Sequence, residues 1–179
     1  MEKGQERSRK LDELMRGIGY RFKRVELLDQ ALTHGSFKAE RPDVKDYQRL
    51  EFLGDAVLDY IVTLRLVEEH GEAGEDELSD KRIELVKNDF LNHAGDRLGI
   101  LEYVLMGKSM RTNAQEPRKL AADVMEALIG AIFVDGGERH ARAFIERFVL
   151  AEGELKRTSP RSSSRTCRCT AWIPFLRRR

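Results

Sequence analysis

The sequence predicts an all-α domain, and two features of its patterning favour this class. Apolar residues recur at the three- and four-residue spacing of amphipathic helices along most of the chain. No run of useful length alternates apolar and polar residues, and no hairpin signal joins such runs. The 179 residues give room for one domain with a sizeable core, followed by a tail of different composition.

The helices of the first half can be placed from their apolar spacing and from the residues that interrupt it. A helix is predicted over 7–18, and Gly19 is placed to end it. A second, short helix covers 25–32. A polar break at 41–45 then precedes a long helix, which is predicted from Asp46 to about His70.

The apolar spacing in the second half of the sequence predicts three more helices. Residues 71–74 form a loop, after which apolar residues from Leu78 onward mark another long helix that reaches Leu98. Residues 107–116 are polar and predict a loop. Pro117 is suited to the first turn of the next helix, which closes near 135–137, and a last helix runs from about Glu138 to Leu155.

Composition narrows the class of protein only modestly. Charged residues make up 35% of the chain with a formal net charge of +1, a balance that neither indicates nor excludes a nucleic-acid partner. The first 20 residues show no secretory signal, and the longest uncharged apolar stretch, 127–134, is far shorter than the ~20 residues of a membrane span. Cys167 and Cys169 suit neither a disulfide nor a zinc site. These features predict a cytoplasmic protein with no membrane partner.

Two pairs of acids lie in otherwise apolar helical segments. Glu51 and Asp55 are four residues apart, and Asp123 and Glu126 are three apart, so each pair shares one helix face. Taken alone, Glu51 and Asp55 could form a solvated helix face or pair with arginines such as Arg49. Asp123 and Glu126 alone could be acids near a helix N-terminus, where they favour the helix dipole. Acids are rarely buried unless they are paired or bind metal. The two pairs together indicate one divalent-metal site.

The segments RLEFLGDAVL at 49–58 and DVMEALIGAIFVD at 123–135 resemble the ribonuclease III family of bacterial type. The resemblance includes the segments GYRF at 19–22 and ALTHGS at 31–36, and it covers roughly residues 10–150. It implies that residues 1–155 form the helical ribonuclease III endonuclease domain.

The resemblance also assigns roles to the four acids. It implies that Glu51, Asp123 and Glu126 bind metal directly, that Asp55 holds and orients water at the metal, and that Asp55 and Glu126 form the catalytic pair. Carboxylates are the ligands that Mg²⁺ prefers, so two Mg²⁺ ions are the expected cofactors, with Mn²⁺ as a substitute and no small-molecule cofactor.

The implied function is an endoribonuclease that hydrolyses double-stranded RNA to 5′-phosphate and 3′-hydroxyl ends. Expected duties are processing of ribosomal RNA precursors and of other structured RNAs, including messenger and transfer RNA. The resemblance further implies a homodimer in which Phe52 inserts into the partner subunit, although core packing is the ordinary role for such a residue. One alternative is a non-catalytic double-stranded-RNA-binding or ribosome-associated protein of the same fold, and another is the short enzyme form that lacks an RNA-binding domain.

Several further positions carry predictions. Lys108, Arg111 and Lys119 are candidates for contact with RNA phosphates, with a solvated surface role as the alternative. Many family members carry an acid where this chain has Gln48, which puts an auxiliary role of that position in doubt. His34 could act as a base, but a packed or capping histidine is the more ordinary interpretation.

The tail at 156–179 differs in kind from the rest of the chain. It is rich in Ser and Arg, has no acidic residue and shows no helical period. Its composition predicts a disordered basic extension. Relatives usually continue into a double-stranded-RNA-binding domain, which this tail does not resemble, and a truncation or a frameshift would also produce such a change.

Overall fold

The computed structural model describes residues 2–108, 110 and 117–151, and these residues are almost wholly helical, as the apolar spacing predicts. A 3₁₀ turn at Ile100–Tyr103 and a π-helical turn at Glu146–Leu150 complete the helical elements. The α-helices are α1 Glu2–Ile18, α2 Val25–Ala31, α3 Gly35–Glu40, α4 Gln48–Glu69, α5 Glu75–Leu85, α6 Asn88–Leu98, α7 Pro117–Gly136 and α8 Glu138–Ile145. The all-α prediction is therefore confirmed.

Helix α7 forms the centre of the fold. Its buried residues point in every direction around the helix axis rather than along one stripe, which is the pattern of a helix enclosed by others. The helices α2, α4, α6 and α8 pack around it. Small side chains make up much of the buried surface of α7. Ala121, Ala122, Ala127 and Ala131 are fully or almost fully buried.

Helices α4 and α7 meet backbone to backbone at two glycines. A methyl group added to Gly54 would overlap the carbonyl oxygen of Glu126 and would lie 3.0 Å from the amide nitrogen of Gly130. A methyl group added to Gly130 would overlap the carbonyl oxygen of Leu50. Neither position has room for any side chain, so the two glycines set how closely the two acid-bearing helices approach.

The far end of α7 is anchored by a buried carboxylate. Asp135 accepts hydrogen bonds from the Tyr20 hydroxyl at 2.8 Å and from the backbone amides of Lys23 and Arg24 at 2.8 and 3.0 Å. These bonds tie the turn between α1 and α2 to the last turn of α7. The carboxylate and burial together raise the pKa of Tyr20 to about 12, with burial the larger cause.

The structure corrects one helix prediction and adds one helix. The long helix predicted from Leu78 to Leu98 is wrong, because the chain breaks at Val86 and at Lys87, whose backbone is extended (φ −59°, ψ 142°). The break lets α6 bury Leu91 against α7 while α5, which buries none of its residues, lies on the surface of α4. A straight helix could not reach both surfaces. The short helix α3 was not anticipated.

Element ends differ from the predictions by a few residues. Helix α1 begins at Glu2 and α4 at Gln48, while α8 passes into the π turn at Glu146. The last part of the final predicted helix, the tail and most of the 107–116 loop lie outside the described residues. Among the helices that the structure describes, none is long and apolar enough to cross a membrane.

The glycine contact gives a test of the fold. Gly54→Ala should lower the free energy of unfolding by about 2 kcal/mol or more, because its methyl group has only backbone to displace. The measurement is urea unfolding followed by circular dichroism.

Gly17→Ala is the matched control, since Gly17 is also helical but has no atom within 4 Å of its added methyl group. It should be neutral or stabilise the protein by up to about 1 kcal/mol. Equal destabilisation by the two substitutions would contradict the close helix contact.

Candidate metal centre

The glycine crossing brings the two acid pairs together. Glu51 and Asp55 lie on α4 on either side of Gly54, whose backbone rests on the carbonyl group of Glu126 in α7. Asp123 lies one turn before Glu126 on the same helix. All four predicted acids therefore flank one helix crossing, although they come from segments about seventy residues apart in the chain.

The surroundings raise the pKa values of three of the four acids. Burial, as the largest cause, and the negative charges of Asp55, Asp123 and Glu51 together raise the pKa of Glu126 to about 8. Burial also raises the pKa of Glu51, and Asp123 and Asp55 add to this rise. The pKa of Asp123 is raised by burial. Without a counter-ion, Glu126 therefore keeps its proton near neutral pH, and the stability that this group contributes is lost as the pH rises from 4.5 through about 8.

The four acids differ in how far they are buried. Glu51, Asp123 and Glu126 are half-buried, whereas Asp55 is exposed to solvent. The cluster is therefore open on the Asp55 side and closed by the helix core on the Glu126 side. Such an arrangement gives a bound cation a partly dry environment together with access for a substrate.

The chemistry of the four acids fits hard divalent cations. Within the described residues, no three His, Cys, Asp or Glu side chains are grouped closely enough to hold a metal ion in the recorded conformation. The donors themselves are carboxylate oxygens, which Mg²⁺ and Mn²⁺ prefer, and their mutual repulsion is what a divalent cation would relieve. The residues therefore fit such ions in type and charge.

Three other side chains border the acid cluster. The positive charge of Lys119 opposes the rise in pKa of both Glu51 and Asp123, so this exposed lysine lies beside the acids rather than away from them. His34 acts on Asp123 in the same sense. The buried Tyr47 precedes α4, and its pKa is raised by burial and then by Asp123, Glu51 and Asp46.

His34 serves as the cap of α3, in line with the ordinary interpretation of this residue. Its Nδ1 atom accepts a hydrogen bond from the backbone amide of Ser36 at 3.1 Å and lies 2.8 Å from the Ser36 hydroxyl oxygen. The Ser36 hydroxyl in turn accepts from the amide of Gly107 at 3.0 Å, and Glu40 accepts from the amide of Lys108 at 2.6 Å. The α3 turn therefore holds the segment that leads toward α7.

The remaining predicted residues are placed as follows. Gln48 is exposed in the first turn of α4, three residues before Glu51. Phe52 is 82% exposed, which excludes core packing within one chain. Lys108 is exposed, and Arg111 lies outside the described residues.

Sequence reasoning missed Gly54, Gly130 and Tyr47. The two glycines stand inside the two acid-bearing motifs, and a glycine within a helical pattern is a signal of close backbone approach that was available. Nothing in the sequence marks Tyr47, because the side chain borders the acids only through the fold.

Comparison with known proteins places the chain among ribonucleases. A family model described as ribonuclease-III-like matches residues 24–152. The chain is 38% identical to ribonuclease 3 of Leptospira interrogans over 147 residues, which are 81% of this chain and 60% of that relative. It is 36% identical to ribonuclease 3 of Alcanivorax borkumensis over 166 residues, which are 91% of this chain and 70% of that relative.

A solved structure gives the same result for the fold. The nuclease domain of ribonuclease III from Campylobacter jejuni, whose structure was described for flexibility in a region involved in dimer formation, matches with a TM-score of 0.73 and 33% identity. The match covers 79% of this chain and 96% of that domain. The chain therefore matches nearly the full length of the Campylobacter nuclease domain but spans only about 60% of the length of the Leptospira relative.

Proposed function

We propose, since this chain belongs to the ribonuclease III family, that its helical domain hydrolyses phosphodiester bonds of double-stranded RNA with divalent metal ions. One observation supports the proposal above all others. The α4–α7 crossing brings together four carboxylates, and the negative charges of the other three help to raise the pKa of Glu126. The alternative of a non-catalytic RNA-binding protein has no such use for them.

The four acids take the following roles in this proposal. Glu51, Asp123 and Glu126 hold Mg²⁺, with Mn²⁺ as a substitute, and Asp55 with Glu126 forms the catalytic pair. The ions, when bound, supply a nucleophile at neutral pH and neutralise the charge that develops on the phosphate. Asp55, as the exposed acid, is the one best placed to orient an incoming water molecule.

The residues around the acids position the RNA backbone. Lys119 lies beside Glu51 and Asp123, so its ammonium group can contact a phosphate that enters the cluster. Lys108 is exposed, and its backbone amide donates a hydrogen bond to Glu40. Gln48 is neutral where many relatives have an acid, and a metal-binding role is therefore not assigned to it.

Duplex RNA is recognised chiefly by shape and by contacts to phosphates and 2′-hydroxyl groups. We expect the substrates to be structured RNAs, including ribosomal, messenger and transfer RNA precursors, cut to leave 5′-phosphate and 3′-hydroxyl ends. The whole relatives are longer than this chain, so these duties are proposed for the domain rather than transferred from them.

The assembly proposed is a homodimer with Phe52 at its interface. A phenylalanine that is 82% exposed beside half-buried acids is unfavourable in a monomer, and exposed aromatic side chains of this kind mark interaction surfaces. Insertion into a second copy would bury the ring and place two acid clusters in one particle.

The first test of the function removes one charge from the cluster. Glu126→Gln should lower Mg²⁺-dependent cleavage of a long RNA duplex at least ~100-fold while RNA binding is retained, because the shape of the side chain is kept. Gel-based cleavage and fluorescence anisotropy measure the two properties. Glu84→Gln, on the exposed surface of α5, is the matched control and should cut normally.

Cleavage by the Glu126→Gln protein at the control rate would refute the assigned site. A wild-type protein that binds duplex RNA but never cuts it would favour the non-catalytic alternative.

The second test concerns the dimer. Phe52→Ala should weaken self-association at least ~30-fold, since a buried aromatic anchor commonly contributes 2 kcal/mol or more. Light scattering coupled to size exclusion gives the mass, which should fall from twice 20.6 kDa toward the monomer value at micromolar concentration. Ile83→Ala, which also removes an exposed apolar side chain, is the control. An unchanged dimer mass in the Phe52→Ala protein would contradict this role.

A further inference from the structure

We propose that a surface pocket on α1, remote from the acid cluster, binds phosphate groups of the RNA substrate. The pocket has a volume of about 390 Å³ and is lined by Arg9, Asp12, Met15, Arg16 and Arg21. Its three arginines and one aspartate give the lining a formal charge of +2. The inference rests on the proposed function, because it names RNA as the ligand.

In the part of the chain that the structure describes, the three arginines of the pocket have no carboxylate partner of their own. Within the described residues, the side chains of Arg9, Arg16 and Arg21 have no ion pair or hydrogen bond. Five other arginines do have one, in the pairs Arg7–Asp29, Arg24–Asp135, Arg41–Asp43, Arg65–Glu69 and Arg142–Glu68. In a chain whose net charge is only +1, three guanidinium groups with one carboxylate at a single pocket are a local excess of positive charge.

The backbone places the three groups around one depression. Arg9 and Arg16 are seven residues apart on α1, which is two helical turns or about 10 Å along one face. Gly19 then adopts a left-handed conformation (φ +71°), which ends the helix and brings Arg21 back to the same pocket. All three side chains are exposed, so their donors are free to reach a ligand.

Guanidinium groups favour phosphate over most other anions. Each presents a planar set of donors that can bind two phosphate oxygens at once. The pocket is open, its charged lining residues are exposed and Met15 is buried, so it suits a backbone that passes across it rather than an enclosed small molecule. Asp12 keeps the charge moderate, which fits singly charged phosphodiesters of a duplex.

The pocket is separate from the acid cluster. Arg21 lies two residues before Lys23, whose amide binds Asp135 at the end of α7 together with that of Arg24. Asp123 and Asp135 are twelve residues apart on that helix, a distance of about 18 Å. The pocket therefore contacts RNA beyond the phosphate that is cut, and it contributes to binding rather than to the chemical step.

The test is the triple substitution Arg9→Gln, Arg16→Gln and Arg21→Gln. The matched control removes the same charge from paired arginines, as Arg41→Gln, Arg65→Gln and Arg142→Gln. Duplex RNA binding is measured by anisotropy in EDTA across a salt series, with a gel to show that the RNA stays intact. Cleavage is measured with Mg²⁺ at increasing RNA concentration.

We expect the triple variant to bind about tenfold more weakly at low salt, and its salt slope to fall by about one to two relative to the control. The KM for cleavage should rise with kcat unchanged. Asp12→Asn should act in the opposite direction and tighten binding, because it removes the negative charge in the pocket.

Binding and salt slope equal to those of the control would overturn the inference while leaving the proposed function intact, provided that the wild-type protein binds and cuts RNA. A fall in kcat with KM unchanged would also overturn it, since the pocket would then act on the chemical step. A wild-type protein that neither binds nor cuts duplex RNA would overturn both.

Discussion

The close approach of α4 and α7 is the constraint on which the rest of the structure depends. Gly54 and Gly130 allow the two backbones to touch, and this contact decides which side chains become neighbours. Glu51 and Asp55 stand on one side of it and Asp123 and Glu126 on the other. A larger residue at either glycine would separate the helices and with them the two acid pairs. The same contact therefore packs the core and builds the site.

The site is assembled against the electrostatic preference of the fold. Four carboxylates lie near one another, and burial together with their mutual repulsion raises the pKa of Glu126 to about 8. Burial also raises the pKa of Asp123, and the charges of Lys119 and His34 lower it in part. A structure stabilised for its own sake would pair such acids with arginines, as this chain does elsewhere. Bound cations would offset the cost of burying these acids and the repulsion between them.

Much of this arrangement could be predicted from the sequence, because helical periodicity fixes which residues share a face. The acid pairs, the all-α class and the approximate helix positions follow from spacing alone. The break at Val86 and Lys87 could not be predicted, since neither residue is a helix breaker and the bend is set by the surfaces that α5 and α6 must reach. The crossing at Gly54 likewise depends on which helix lies opposite, and the unpaired state of Arg9 depends on contacts that only the folded chain defines.

Metal binding measured without any substrate tests the central claim most directly, because it does not depend on RNA affinity. Isothermal titration calorimetry with Mn²⁺ should show binding to the wild-type protein. Glu51→Gln on α4 and Asp123→Asn on α7 should each weaken it at least ~10-fold, whereas Glu84→Gln should not. Loss in both variants would mean that the two helices supply one site. Binding that is unchanged in either variant would contradict a metal centre at the α4–α7 crossing.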